Sequence, residues 1–397
     1  MPAQARPSWF LFTTLALISI IASIAVHMFV PALPALRTDL GASVAVTQLT
    51  VSLVMFAMAF TTIVYGGLSD RLGRRPVLLG GLALFTAGAA LSWAAPDIWT
   101  LLAGRALQGA GAGCGVVLSR AIARDVYGME RVAEVMAYLT AAYVMGPMLA
   151  PPLGGALVTL FGWRAVFVFG LAFGVLLIAV VFFIVPETAA KRSGPGHGMA
   201  AGYAKLLRMP RFTALILQPG LISGAFFAQA TASSYLAIEV MGITPMAFGL
   251  WFLVYPLGYI TGNFMTGRIG TRRSVDFMVI SGAIIGVGCA AMLVIGLSIW
   301  PTSLLALFLP GFFIGIAQGL CLPHAQAGTM AIAPDLTGSA SGAMVFSQMF
   351  FAAVCQQLVG VFADGTWVPL GVLYSVTCAL SLVFALVAWK YRPAAET

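Results

Sequence analysis

Charge is what this chain has least of. Lys, Arg, Asp and Glu make up 8% of its 397 residues while 61% are hydrophobic, against roughly a quarter charged in an average soluble domain. So little polar surface cannot cover a water-soluble globule of this length. The acids number 12 in all, and none falls inside an apolar run except near its ends, so the paired carboxylates of an intramembrane enzyme are missing. No His-Glu-x-x-His arrangement occurs. The five cysteines (Cys114, Cys289, Cys321, Cys355, Cys378) sit in or at the edge of apolar segments without metal-ligand spacing. They read as packing residues, and neither a metal nor another cofactor is expected. The serines of Gly338-Ser339-Ala340-Ser341-Gly342 do not fit a Gly-x-Ser-x-Gly elbow. The absence of a sizeable soluble domain or tail argues against a sensor or scaffold.

Long apolar runs are what the chain has instead. Twelve are expected to span a membrane, at about 8–31, 44–67, 76–95, 98–120, 133–159, 164–185, 212–236, 246–267, 276–298, 302–324, 338–362 and 367–389. About 20 apolar residues cross roughly 30 Å of hydrocarbon. The first run lacks a small-residue cleavage site and eleven more follow, so it reads as a helix rather than a signal peptide. Pro31 and Pro34 are expected to close it, Pro76 to open the third span, and Pro96-Asp97 to mark a turn. Trp99, Trp163, Trp300 and Trp367 stand near span starts, where indoles favour the interface. The fold class is all-α, a polytopic membrane protein of twelve transmembrane helices in two six-helix bundles.

Placing the N-terminus in the cytoplasm puts 17 of the 20 Lys and Arg on that side; both termini are then cytoplasmic. The net charge of +8 sits in short loops beside apolar helices, which sets topology and calls for lipid, not nucleic acid. A polar stretch, 189–211, separates halves 1–188 and 212–397 as a flexible linker. Gly66-Gly67-Leu68-Ser69-Asp70-Arg71-Leu72-Gly73-Arg74-Arg75 follows span 2, and an eroded copy, Gly267-Arg268-Ile269-Gly270-Thr271-Arg272-Arg273, follows span 8. Two parallel repeats around a central cavity are implied.

The glycines of the first copy are expected to permit a tight turn and close helix approach. Arg71, Arg74 or Arg75 is expected to pair with Asp125 at the end of span 4. Arg105 is the only Lys or Arg well inside a span. Burying it costs at least about 2.5–3.5 kcal/mol, so it is expected to face the cavity or a partner, with Gln108 one turn away. It would control a proton site or touch an electronegative substrate group; the alternative is a cation satisfied by backbone carbonyls that packs the first bundle. By elimination His27 is the leading proton carrier, read as the one group in the spans that titrates near neutral pH; water, Arg105 or Asp39 at the outer mouth are the alternatives. Gly146-Pro147 and Pro151-Pro152 bend span 5, and Gly154 and Gly155 allow close packing. A poorly selective cavity lined with aromatics, amides and hydroxyls draws on His27, Met28, Arg105, Gln108, Tyr143, Gln229, Tyr235, Tyr255, Asn263, Gln318 and Gln348. Each is equally readable as interhelical packing. Asn263 is the chain's single asparagine and needs a partner. Histidine and arginine without carboxylate favour neutral or anionic compounds, phenicol-like drugs rather than lipophilic cations.

Residues 66–75 resemble the loop 2–3 signature of the major facilitator superfamily. Leu102-Ala103-Gly104-Arg105-Ala106-Leu107-Gln108-Gly109 resembles its helix 4 motif in proton-driven members. Gly146-Pro147-Met148-Leu149-Ala150-Pro151-Pro152-Leu153-Gly154-Gly155 resembles the helix 5 motif of drug:proton antiporters. With Pro31-Ala32-Leu33-Pro34, Arg120-Ala121-Ile122-Ala123-Arg124-Asp125, Pro186-Glu187-Thr188 and the Gly338–Gly342 segment, the chain is similar to the bicyclomycin/chloramphenicol-resistance subfamily. The resemblance implies a monomeric exporter of small drugs in a bacterial inner membrane, the proton being its coupling ion; an importer of a metabolite on the same fold is the rival. By the same analogy, Asp70 sits at the N-terminus of the helix that follows Gly338 and latches one transport state. The subfamily's acidic residue four positions before Pro-Ala-Leu-Pro is here His27.

Overall fold

A computed structural model describes residues 9–188, 206–333 and 337–392; the side chains of 128–134, 136, 137, 140, 141, 143, 144, 271 and 337–339 are also outside the described residues. Among the described residues every regular element is helical. In order they are α1 (Trp9–Val26), α2 (Leu33–Leu40), α3 (Val44–Leu72), α4 (Arg74–Trp93), α5 (Ile98–Phe161), α6 (Arg164–Ile184), α7 (Pro210–Tyr235), α8 (Pro245–Phe252), α9 (Val254–Ile269), α10 (Val275–Ile299), α11 (Leu304–Ile332), α12 (Thr337–Val361) and α13 (Val368–Lys390). Ten stretches are long and apolar enough to cross a membrane by themselves. The second limb of α5 and the α8–α9 pair supply the other two of the twelve spans. Most of the expected linker 189–211 lies outside the described residues, and α7 already begins at Pro210.

The polarity is that of a lipid-embedded bundle. Phe183 is 82% exposed and Trp9 81% on the outside, whereas Arg105, Gln108, Gln218 and Gln229 are buried. With lipid as apolar as leucine, helices must associate by close approach at small residues. Thus α4 meets the first limb of α5 at Gly104, where a Cβ would stand 2.5 Å from Ser92 Oγ and 2.8 Å from Ser92 N.

Several spans depart from their expected boundaries. The first span does not stop at Pro31 and Pro34. It breaks after Val26, makes a 3-10 turn at Val30–Ala32 and resumes as α2 to Leu40. Pro31 has no N–H for the His27 carbonyl, which accepts instead from Val30 N at 3.4 Å, so the chain bends and continues. Pro256 likewise removes the donor for Phe252 and separates α8 from α9. Helical conformation runs from Ile98 to Phe161, through the expected loop 121–132, with Pro147, Pro151 and Pro152 interrupting its bonding. At 1.5 Å per residue a straight helix would reach about 96 Å, so the segment doubles back. Arg105 reaches Ala25 and Gly115 abuts Ile18, whereas Gly146 abuts Ser23 and Gly154 abuts Met28. The first limb therefore runs antiparallel to α1 and the second parallel to it. Finally, α11 extends to Ile332, eight residues past the expected end, which puts His324 inside a span. His27 is therefore not the only histidine in the spans.

The chain divides into two compact units, Met1–Pro195 with Thr244–Leu250, and Gly196–Ile243 with Trp251–Thr397.

Candidate functional site

At the start of α5, Asp97 Oδ1 accepts from Trp99 N and Thr100 N, both at 2.9 Å. The Thr100 amide and hydroxyl hold this carboxyl below the usual carboxylate range. The cap fixes the start of the helix that carries Arg105 two turns on.

Arg105 is 1% exposed. Its Nε donates to Thr50 O of α3 at 2.8 Å, one terminal nitrogen donates to Ala25 O of α1 at 2.7 Å, and the other donates to Gln108 Oε1. The guanidinium lies 4.3 Å from the ring centroid of Phe29 and 5.7 Å from that of Phe167 on α6. A carbonyl in the last turn of a helix lacks an intrahelical donor, and the break after Val26 leaves Ala25 O in that position. Arg105 thus pins the main chain at Ala25 and the ring at Phe29, the residues two before and two after His27. His27 is 7% exposed and Met28 1%, and the Met28 carbonyl lies against Gly154 of the second α5 limb. Helix break, arginine and histidine form one assembly. Gln108 belongs to it; the side chain of Tyr143 lies outside the described residues.

Asp39 stands about 12 residues further along the same span. It accepts from Trp163 Nε1 at 3.0 Å and from Arg164 at 2.8 Å, while Arg164 also donates to Ala95 O at 3.2 Å. The carboxylate ties α2 to α6 at that end of the unit.

At the other end lies the charged motif. It is almost entirely helical, α3 running to Leu72 and α4 starting at Arg74, with Gly73 (φ +105°) as the one break. Gly73 therefore makes the tight turn. Gly66 does not serve a close approach, since nothing lies within 4 Å of a Cβ built there. Of the three arginines, Arg74 takes the Asp125 partner at 3.1 Å, and it also meets Asp70 at 2.6 Å and Ser69 Oγ at 2.5 Å. Arg75 turns to the Phe182 carbonyl and ring, and Arg71 is exposed. Side chains at 337–339, where the expected second neighbour of Asp70 begins, are outside the described residues.

Sequence reasoning did not assign a role to Glu187. Its carboxylate accepts from Arg74 N at 2.9 Å, Arg75 N at 3.2 Å and Thr188 N at 2.9 Å. Thr188 Oγ1 in turn donates to Asp125 at 3.3 Å. Gly73 offers no side chain to cap α4, so an acid 114 positions away supplies the anion its N-terminus favours. The Pro-Glu-Thr ending of span 6 is the signal that points to it. Replacing Glu187 by alanine is expected to lower stability by about 1 kcal/mol, seen as an earlier unfolding midpoint in detergent; an unchanged midpoint would mean the cap is dispensable.

In the second unit the polar candidates bond mainly to their own bundle. Gln229 donates to Leu307 O at 2.7 Å and Gln318 to Ser223 Oγ at 3.0 Å. Asn263 finds its partner in its own helix, at Tyr259 O, 2.8 Å. Tyr255 is fully buried among Phe226, Phe252 and Phe308. Tyr235 and Gln348 are partly buried.

Twelve lipid-facing spans, an arginine held by carbonyls at a broken helix and a charged inter-helix hinge define a polytopic membrane transporter. The chain belongs to the Major Facilitator Superfamily, which it matches over residues 15–356. It is 25% identical to the bicyclomycin resistance protein homolog of Haemophilus influenzae, covering 92% of this chain and 93% of that protein. It is 27% identical to multidrug resistance protein D of Escherichia coli, over 84% of each. A crystal structure of a D-xylose–proton symporter shares 15% identity and a TM-score of 0.78, covering 97% of this chain and 98% of that one; this likeness concerns fold alone. The protein is a transporter and not an enzyme.

Proposed function

We propose that this protein is a monomeric drug:proton antiporter of the bacterial inner membrane, with both termini in the cytoplasm. It expels small neutral or anionic compounds, phenicols among them, by alternating access. The observation that carries this reading is the assembly at the break in the first span, where Arg105 holds the Ala25 carbonyl before His27 and the Phe29 ring after it. No described carboxylate of the first unit shares that level of the bundle. Relatives named for bicyclomycin and multidrug resistance support export. Arginine keeps its proton at every accessible pH, so it fixes geometry and positive potential while the imidazole loads and unloads. In the same reading Arg74, shared between Asp70 and Asp125, is the latch of the first unit.

Cells expressing the protein are expected to grow on phenicols and to lose that protection with a proton uncoupler. His27→Ala is expected to abolish transport driven by an imposed pH gradient in vesicles while leaving the folded protein in the membrane. Full pH-driven transport in that variant would place coupling at another group. Drug counterflow without any dependence on the gradient would remove the antiport reading.

A further inference from the structure

We propose that Arg268, Arg272 and Arg273, at one end of the second unit, bind the headgroup of an anionic phospholipid. The three belong to the eroded second copy of the charged motif. Asp70-Arg71-Leu72-Gly73 of the first copy becomes Gly267-Arg268-Ile269-Gly270 in the second, so the arginine persists where the acid is gone. In the first unit Asp70 and Asp125 pair with Arg74, and Glu187 takes the amides beside it. The second unit makes no such provision.

Packing defines the end in question. Arg211, in the first turn of α7, meets Asp276, in the first turn of α10, at 3.4 Å. Phe212, Val279 and Ala388 of α13 share one core cluster. The starts of α7 and α10 and the end of α13 therefore lie together, and the turn Gly270–Arg272 joins the end of α9 to them. Asp276 is buried and taken by Arg211. The other described acids of this unit are Glu239, beyond the end of α7, and Asp364, ahead of α13. They belong to the opposite end, about 39 Å away along α7 at 1.5 Å per residue. Arg268, Arg272 and Arg273 are exposed, and no described carboxylate at this end is left for them.

The three lie within six consecutive residues, so their α-carbons stay within about 18 Å even at full extension, and a 3-10 turn brings them closer. Two of the guanidiniums sit over rings: Arg268 is 4.8 Å from the centroid of Phe264 and Arg273 is 4.9 Å from that of Phe277. Those rings are 61% and 47% exposed, on the surface that such a bundle turns to lipid. A guanidinium seated over a ring still has N–H groups to donate, and its fork matches the two free oxygens of a phosphodiester. Cations without protein acids, beside apolar rings open to hydrocarbon, fit an anion that arrives with acyl chains attached. Anionic lipids are drawn to basic groups next to spans, whereas free phosphate would bring the charge without the chains.

The test uses the delipidated full-length protein in detergent, titrated with phosphatidylglycerol or with phosphatidylcholine of the same acyl chains and read by native mass spectrometry. The wild type is expected to take phosphatidylglycerol in preference. The triple variant Arg268→Gln, Arg272→Gln, Arg273→Gln is expected to bind it about tenfold more weakly or worse, and the corresponding triple lysine variant to recover part of that loss. Inorganic phosphate at matched concentration is expected to leave the lipid bound. Equal binding of the two lipids by the wild type, wild-type affinity in the glutamine variant, no recovery with lysine, or displacement by inorganic phosphate would overturn the proposal. None of these readouts involves drug movement, so failure of the export reading leaves them standing, and their failure leaves export untouched.

Discussion

Replacing Arg105 by alanine is expected to lower the stability of the solubilised protein by roughly 3 kcal/mol and to end transport. The guanidinium satisfies Thr50 O, Ala25 O and Gln108 Oε1. Each buried acceptor left unpaired costs about 1–3 kcal/mol, while interhelical bonds in membrane bundles average nearer 0.6 kcal/mol; two interhelical bonds and one within α5 place the total near the stated figure. The contact with Phe29 adds to this. Function should suffer more than stability, because the carbonyl and the ring that Arg105 holds flank His27. Arg105→Lys keeps the charge but recovers only part of either quantity, since a point donor cannot reach carbonyls on two helices and also lie flat over Phe29. Unfolding midpoints in detergent and drug uptake into inverted vesicles check both numbers. An alanine variant that melts and transports like the wild type would show that other donors serve those carbonyls.

Gly73→Val is the second large effect, expected at about 2–4 kcal/mol. The backbone at Gly73 (φ +105°, ψ 149°) lies in a region that side-chain-bearing residues enter at about 1–3 kcal/mol. A Cβ there would also stand 2.5 Å from Glu187 Oε2. The carboxylate must then leave the N-terminus of α4, at a further cost of about 1 kcal/mol. The two contributions are coupled, so Gly73→Val should be less damaging in a Glu187→Ala background than in the wild type, a difference a double-mutant cycle resolves. Strict additivity would show that Glu187 and the turn act independently.

The number and rough position of the spans were legible because lipid imposes length and apolarity directly on the sequence. The ends of the spans were less so. Proline signals a lost hydrogen bond, but not whether the chain stops or bends and continues, as it does at Pro31 and Pro256. The tenth span was expected to end at His324, which instead lies eight residues inside it. The charged motif was recognisable, yet which arginine meets Asp125 depends on the phase in which α4 restarts after Gly73, and the acid that caps that restart, Glu187, lies far along the sequence. Arg105 could be singled out as a buried cation. Its partners could not, because two of them are main-chain carbonyls and a carbonyl leaves no mark in the residue code. Asn263 shows the converse: a rare side chain that drew notice bonds to its own helix.

Anchoring a cation on the peptide backbone has an evolutionary corollary. A carbonyl is common to all twenty residue types, so positions 25 and 50 can drift in polarity without altering what the guanidinium sees. Both are tightly enclosed, and Ala25 and Thr50 show no exposed surface, so volume is what restrains them. The arginine has no such latitude. In a lineage of these transporters the electrostatic centre would persist while its immediate neighbours in sequence turned over around it.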